Sequence, residues 1–414
     1  YLTARVRLTC VRGGGYAMWK NRKIDWLILG PYLALSIVGL LEIYSASSYR
    51  LLVAGSDPKS LFIRQFLFII LSWGVIVLTY SIRLQVLLKP RIIKAGLIVS
   101  GLLLAMMKLG IFAVTVNGAQ RWVSIAGIQF QPSEIATIFL ILYLSRFFRN
   151  DRSVPEKLHI PVLIVGGIAV LVLFQPKIAG ALMILAIAGA IFWAAAIPIK
   201  KGLIIIGAAI ASLILVAGLV LLLEKHHLLP SFFEHAYDRI AMVHNPFLDE
   251  HGAGYQMSNS YYALYNGGLF GRGMGNSITK KGYLPESETD FIFSVIAEEF
   301  GLIGALLVLF LLFLLCMRIF QKSTKQKNQQ ATLILIGVGT WILVQTSINI
   351  GSILGLIPMT GVPLPFVSYG GTSYLILSFA IGLALNISSR QVKEKNKQVE
   401  RLQLKKPELL NKNN

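Results

Sequence analysis

The sequence predicts an all-α polytopic membrane protein of about ten transmembrane helices, with one large extracytoplasmic loop between the seventh and the eighth. Three observations carry that reading. Of 414 residues, 55% are hydrophobic and only 14% are charged, and the mean hydropathy is +0.67, values outside the range of a soluble globule. Apolar runs recur at the length that crosses a hydrocarbon core of about 30 Å, roughly 20 residues each. Basic residues, finally, are concentrated in alternate connecting segments.

The apolar runs lie near 24–46, 62–82, 92–114, 133–148, 159–175, 179–198, 202–223, 291–317, 331–353 and 370–388. The fourth and fifth are short for a crossing. The first has full length and no small-residue cleavage pattern, so no cleavable signal peptide is read there. Residues 1–17 precede Met18 and are expected to be an upstream-translated extension. Residues 18–390 form one membrane domain, and 391–414 a basic cytoplasmic tail expected to be disordered against anionic lipid. No internal repeat is evident, which argues against an inverted-repeat transporter.

A net charge of +20 first suggests nucleic acid, but its distribution excludes that partner. With both termini and every second loop on one side, 28 of the 39 Lys and Arg residues fall there, and the last opposite loop, 351–369, has none. Short loops with this bias face the cytoplasm. Both ends are therefore expected inside, and the charge is an orientation signal. Cys10 and Cys316 are too few for a disulfide framework.

The connection Glu224–Thr289 is too long to be a mere link. Together with Asp290 it carries 8 of the 19 acidic residues. Its stretch Leu228–Val243 is amphipathic and is expected to lie on the membrane surface. The glycines from Gly252 to Gly275 suit an ordered, cavity-lining segment. The loop ends in Leu284-Pro285-Glu286-Ser287-Glu288-Thr289-Asp290-Phe291, with a carboxylate at the mouth of the eighth span. Thr289 or Asp290 could simply cap that helix. Capping leaves unexplained why Glu286, Glu288, Glu298 and Glu299 crowd the same region, since carboxylates inside a span are costly without partners. Helical spacing puts Asp290, Glu298 and Gly301 near one face, so a glutamate could share Asp290's cavity.

Two further stretches stand out. Asn117-Gly118-Ala119-Gln120-Arg121-Trp122 is followed by Gln131-Pro132-Ser133-Glu134. An interfacial turn accounts for Trp122 and Pro132, but not for Arg121 on the outer side, where a guanidinium suits phosphate. The run Pro358-Met359-Thr360-Gly361-Val362-Pro363-Leu364-Pro365-Phe366-Val367-Ser368-Tyr369-Gly370-Gly371-Thr372 cannot be regular helix. Irregular backbone at membrane depth must be buried or line a cavity, and so apolar a loop suits a lipid chain.

That run, extended to Gly355 and Ser373, resembles the signature of the FtsW/RodA/SpoVE family. So do Tyr44-Ser45-Ala46-Ser47, the Asn117–Trp122 and Gln131–Glu134 motifs, Gly254-Tyr255-Gln256, Gly271-Arg272-Gly273-Met274-Gly275, Leu284-Pro285-Glu286 and Thr289-Asp290-Phe291. The resemblance runs in order from Met18 to about Arg390. It implies ten transmembrane helices, a large loop after the seventh, and polymerisation of lipid II into glycan strands beside a class B penicillin-binding protein. It also implies that Asp290 is the essential aspartate. The wording near residues 44–47 and 117–122 is closer to the division members than to the elongation members.

Three positions depart from the family pattern: Thr137 where a lysine is usual, Lys177 where an acid is usual, and Glu288 where a histidine is usual. Thr137 and Lys177 read either as one compensated exchange that keeps a cation in the cavity, the favoured reading, or as an altered site. The expectation is thus a peptidoglycan glycosyltransferase of the bacterial cytoplasmic membrane, at the septum, with other divisome proteins as partners. Asp290 would act as base on the acceptor hydroxyl. Arg121, Lys177, Arg239, Arg272 and Lys280 are the candidates for the diphosphate, with Glu134, Glu298 and Ser368 completing the substrate site. No cofactor is certain from the sequence; a carboxylate could hold a divalent cation, Mg or Mn. The rival readings are an elongation-type polymerase, a lipid II flippase and a non-catalytic activator of the penicillin-binding partner.

Overall fold

The computed structural model describes residues 23–108, 113–116, 119–125, 128–149, 158–175, 177–195, 245–252 and 254–410, with single positions 207, 218 and 222. Nine of the ten apolar runs coincide with helices. These are α1 (Trp26–Val53), α2 (Ser60–Ser81), α3 (Pro90–Lys108), α4 (Pro132–Phe147), α5 (His159–Leu173), α6 (Ile178–Ala194), α8 (Ile292–Thr324), α9 (Gln329–Ile353) and α10 (Gly371–Leu410), while α7 (Tyr255–Gly267) lies in the large loop. The run 202–223 falls outside the described residues apart from the three single positions, as do Leu228–Val243 and Arg239. The helices α1, α2, α3, α8 and α9, together with α10 as far as Arg390, are long and apolar enough to cross a membrane. The protein is an all-α multi-pass membrane protein.

Local sequence explains the helix starts. Asp25 caps α1 by accepting from the Leu27 amide at 3.2 Å, and Asn328 caps α9 through the Ala331 amide. Pro132 opens α4 with Glu134 in its first turn, where a fixed φ and an acid both suit the helix start. α9 is the hub: α8, α6 and α4 pack against it, α1 lies against α8, and α2 lies along α10. Gly382 lets α10 approach α2 closely, since a Cβ there would meet Thr79 at 2.9 Å. Gly39 does the same for α1 and the 361–369 loop, with Val367 O 2.6 Å from its Cβ position.

Three expectations are corrected. The third span ends at Lys108, not near 114, because Ala113–Val116 forms strand β1 of a three-stranded antiparallel sheet with β2 (Ala119–Ile125) and β3 (Ile128–Phe130). Val114, Thr115 and Val116 are β-branched and pair along β2 opposite Trp122, Gln120 and Ala119, while Val123 of β2 pairs with Phe130 of β3. As far as Leu410 the expected disorder of the tail gives way to helix: α10 continues through a stretch of Lys, Glu and Gln that favours it. The eighth span is not one continuous helix either.

At Gly301, φ +68° and ψ −169° interrupt α8. A side chain is disfavoured in that left-handed region. The break frees the carbonyls of Glu298 and Glu299 and the amides of Leu302 and Ile303. The loop takes all four: Arg272 N donates to Glu298 O at 3.0 Å, Gly273 N to Glu299 O at 2.9 Å, Leu302 N to Gly268 O at 2.9 Å and Ile303 N to Leu269 O at 3.3 Å. Segment 268–273 is thereby spliced into the helix ladder, and these four backbone groups at the kink keep partners.

Candidate functional site

The loop ending at Asp290 and the Pro-Gly loop meet beside α9. Three consecutive carbonyls of the first are held by the second and by α9. Tyr369 N donates to Glu288 O at 2.9 Å, Ser368 Oγ to Thr289 O at 2.6 Å, and Asn349 Nδ2 to Asp290 O at 2.9 Å. Asn349 Nδ2 also donates to Val362 O at 2.8 Å, and Gln345 Nε2 to Pro363 O at 3.0 Å, which ties the Pro-Gly loop to the same helix. Asp290 itself is half-buried. Since α8 begins at Ile292 with Phe291 at the cap position, neither Thr289 nor Asp290 is its capping residue.

Both loops carry stored strain. Glu286 at φ +57° and Phe366 at φ +64° are the described non-glycine residues with positive φ, a conformation that costs about 1–3 kcal/mol and gathers at functional sites. Glu286 is stabilised locally: Thr289 Oγ1 donates to its carboxylate at 2.8 Å, and Thr289 N to its carbonyl at 3.1 Å.

The outer end of α1 closes one side. Arg50, with a half-exposed guanidinium, pairs with the buried carboxylate of Glu288, and Ser287 Oγ donates to Ala46 O at 3.3 Å. Burial pushes the Glu288 carboxyl above its ordinary value, against the pull of Arg50. The family histidine position is therefore held here by an acid with its own cation.

The second cluster lies at the other end of the Pro-Gly loop. Ser373 Oγ donates to Glu134 Oε1 at 2.6 Å, and Thr372 Oγ1 to Gln129 O at 3.1 Å. Lys177, itself buried, brings its ammonium to 3.4 Å from Ser133 Oγ and acts electrostatically on Glu134. Thr137 is one turn further along α4, its hydroxyl bonded to Ser133 O at 2.8 Å. Lys177 and Thr137 thus both bond Ser133. One loop links the Asp290 cluster, through Ser368, to the Glu134–Lys177 cluster, through Ser373.

The remaining predicted residues divide. Glu298 is fully buried, and its carboxylate accepts from Ile278 N at 3.0 Å, Thr279 Oγ1 at 2.6 Å and Asn266 Nδ2 at 3.5 Å. It is committed to the loop, which corrects the expectation of a shared cavity with Asp290. Lys280 is buried and pairs with Glu299 at 2.7 Å, while Ser45 bonds both. Its ammonium is committed within the protein. Ser368 holds Thr289 and also accepts from Leu364 N at 2.8 Å, so its hydroxyl acts on the backbone. Arg272 is exposed on the spliced loop. Arg121 sits on β2, with its side chain outside the described residues, and Arg239 lies wholly outside them. Among the described residues no group of three or more His, Cys, Asp or Glu is placed to hold a metal.

Sequence reasoning missed Asn349, Gln345, Arg50 and Glu42. Asn349 and Gln345 are four residues apart inside an apolar span, so they share one face, and polar groups there are costly unless used. Arg50 was legible as a cation on the sparsely basic outer side. Glu42, 1% exposed, lies electrostatically beside Glu299 and Lys280.

Comparison with known proteins points the same way. The family described as "Cell cycle protein", FtsW/RodA/SpoVE, matches residues 25–393. A "Probable peptidoglycan glycosyltransferase FtsW" of Lactococcus lactis subsp. lactis is 36% identical over 408 residues, covering 92% of this chain and 96% of that protein. One of the same description from Bacillus subtilis is 34% identical over 374 residues, covering 89% and 91%. Among solved structures, the rod shape determining protein RodA of Thermus thermophilus aligns with a TM-score of 0.63 at 25% identity, covering 88% of this chain and 96% of that one. A chain from a peptidoglycan synthase complex that coordinates polymerization and crosslinking aligns with a TM-score of 0.68 at 24% identity, covering 89% and 98%.

Proposed function

The chain belongs to the FtsW/RodA/SpoVE family, and on that premise we propose that it is a peptidoglycan glycosyltransferase with Asp290 as its general base. The observation that carries the reading is the triple hold on the carbonyls of residues 288, 289 and 290. A base must stand at a fixed distance from the proton it takes, and a half-buried carboxylate on a pinned, strained backbone meets that need.

Its substrate is lipid II. The acceptor sugar hydroxyl attacks the anomeric carbon of the donor, forming the glycosidic C–O bond. The bond to the diphosphate oxygen breaks and its electron pair leaves with the diphosphate. Asp290 takes the hydroxyl proton. The charge on the leaving group needs preorganised cations. Arg50 and Lys177 flank the two clusters, and Arg272 is exposed nearby in sequence. Arg121 and Arg239 remain proposals on their residue type alone. A Mg or Mn ion would be held by the substrate diphosphate and Glu286, with Asp290 kept as the base. It would supply charge neutralisation. The apolar Pro-Gly loop borders the path of the undecaprenyl chain.

The family description, "Cell cycle protein", supports a division role; the septum, a class B penicillin-binding protein and other divisome proteins follow from the motif resemblance. The positive-inside bias supports cytoplasmic termini. The test is lipid II polymerisation by purified Asp290→Asn. Loss of a general base lowers the rate by about 10²- to 10⁴-fold, with insertion and helicity retained. An Asn variant that polymerises at the wild-type rate would remove Asp290 from the chemistry.

A further inference from the structure

A cavity of about 290 Å³ opens at the opposite end of the bundle, where α1 begins, α8 ends and α10 passes. Lys23, Arg318 and Lys322 line it together with one carboxylate, Asp25. Three cations against one anion leave two positive charges in surplus. Asp25 fixes two of them: Arg318 Nε and Nη2 donate to it at 3.1 and 3.0 Å, and Lys322 Nζ lies 2.7 Å from Oδ2. An ammonium has three donors, so Lys322 keeps donors for a ligand. Lys23 is exposed and lines the same cavity.

Two further observations point to an occupant. Ser388 lines the same cavity, is 1% exposed, and its hydroxyl has no hydrogen-bond partner among the described residues. A buried polar group without a partner is unfavourable, and an acceptor oxygen in the cavity would satisfy it. The rim is apolar: Ile24, Trp26 and Leu27 are 43%, 66% and 48% exposed. A tryptophan at a helix mouth is an interfacial anchor, and such a rim would contact acyl chains.

We propose that this cavity binds a phosphate-ester anion, and that the anion is the headgroup of an anionic phospholipid of the leaflet facing the basic loops. Basic pockets between transmembrane helices on the cytoplasmic side recognise such headgroups. The preset pair of Arg318 and Lys322 holds the phosphate, Lys23 closes over it, and Ser388 donates its hydroxyl to an ester oxygen. A free phosphate shares the charged contacts but gains nothing from the rim.

The test uses the full chain in detergent and measures its melting temperature against added phosphatidylglycerol, phosphatidylcholine or inorganic phosphate. Phosphatidylglycerol should raise the melting temperature saturably, and phosphatidylcholine should not. The double variant Lys23→Gln with Lys322→Gln keeps the Arg318–Asp25 pair but removes both surplus charges. Its half-saturation should need about thirtyfold more phosphatidylglycerol, at about 1 kcal/mol for each of the two cations near a lipid surface. Should the double variant misfold, Lys23→Gln alone, at an exposed side chain, carries the same titration with a smaller shift in the same direction. Equal half-saturation for wild type and variant, or equal stabilisation by phosphatidylcholine, overturns the site. Saturable stabilisation by inorganic phosphate with none by phosphatidylglycerol overturns the lipid source and assigns the cavity to a soluble phosphate.

Discussion

Replacing Lys280 by methionine should undock the large loop locally, and the structure sets the size of the effect. Glu299 is fully buried, and its cation stands at 2.7 Å. Without Lys280 the carboxylate keeps Ser45 Oγ at 2.7 Å and the Gly275 amide at 2.8 Å as donors, but no cation. Glu42 beside it is also buried and accepts no hydrogen bond among the described residues. Breaking a buried pair by removing one partner costs about 3–5 kcal/mol. The contact joins residues 275–280 to α1 and α8, so the cost falls on loop docking rather than on the whole bundle. At 1.36 kcal/mol per decade, even 3 kcal/mol raises the opening equilibrium by about two orders of magnitude. Hydrogen exchange of peptides covering 268–281 and 298–303 reads that opening directly, because Arg272, Gly273, Leu302 and Ile303 donate across the splice. Adding Glu299→Gln removes the orphaned charge and should recover more than half of the protection. An exchange rate within threefold of wild type for Lys280→Met, or strictly additive effects in the double variant, would refute the coupling.

Gly301→Ala should lower thermal stability by about 1–3 kcal/mol, since φ is +68° and its Cβ would lie 2.4 Å from Gly271 N. Gly74→Ala, with open space around it, serves as the comparison, and equal melting of the two variants would show that the break in α8 is not required. The exchange between positions 137 and 177 predicts that Lys177→Asp inactivates polymerisation and that added Thr137→Lys restores part of it; losses that simply add would separate the two positions. Burial holds the folded Glu288 above its unfolded value, so this group takes up a proton on folding within that window. Its contribution to stability is greatest below the unfolded value and falls as pH rises through the raised one. Glu288→Gln should flatten the dependence of melting temperature on pH there, and an unchanged profile would exclude Glu288 as its source.

Much was settled by sequence alone. Desolvation of the backbone in lipid forces helices wherever apolar runs reach crossing length, so α1, α2, α8, α9 and α10 followed from composition, and the basic bias gave their orientation as an expectation. Asp290 stood out because a carboxylate at a span's mouth is expensive in any fold. Contacts between distant segments were not legible. Nothing local in Ser368, Tyr369 or Asn349 says that they hold residues 288–290, since those bonds cross 59 to 81 positions of chain. Glu298 and Lys280 looked like cavity residues because their charge could be read, whereas their partners could not. Whether a buried charge serves a substrate or the fold depends on which donors reach it, and only the packing of α1, α8 and the spliced loop decided that. The sheet at 113–130 and the break at Gly301 belong to the same class: each is a local conformation stabilised by hydrogen bonds from elsewhere in the chain.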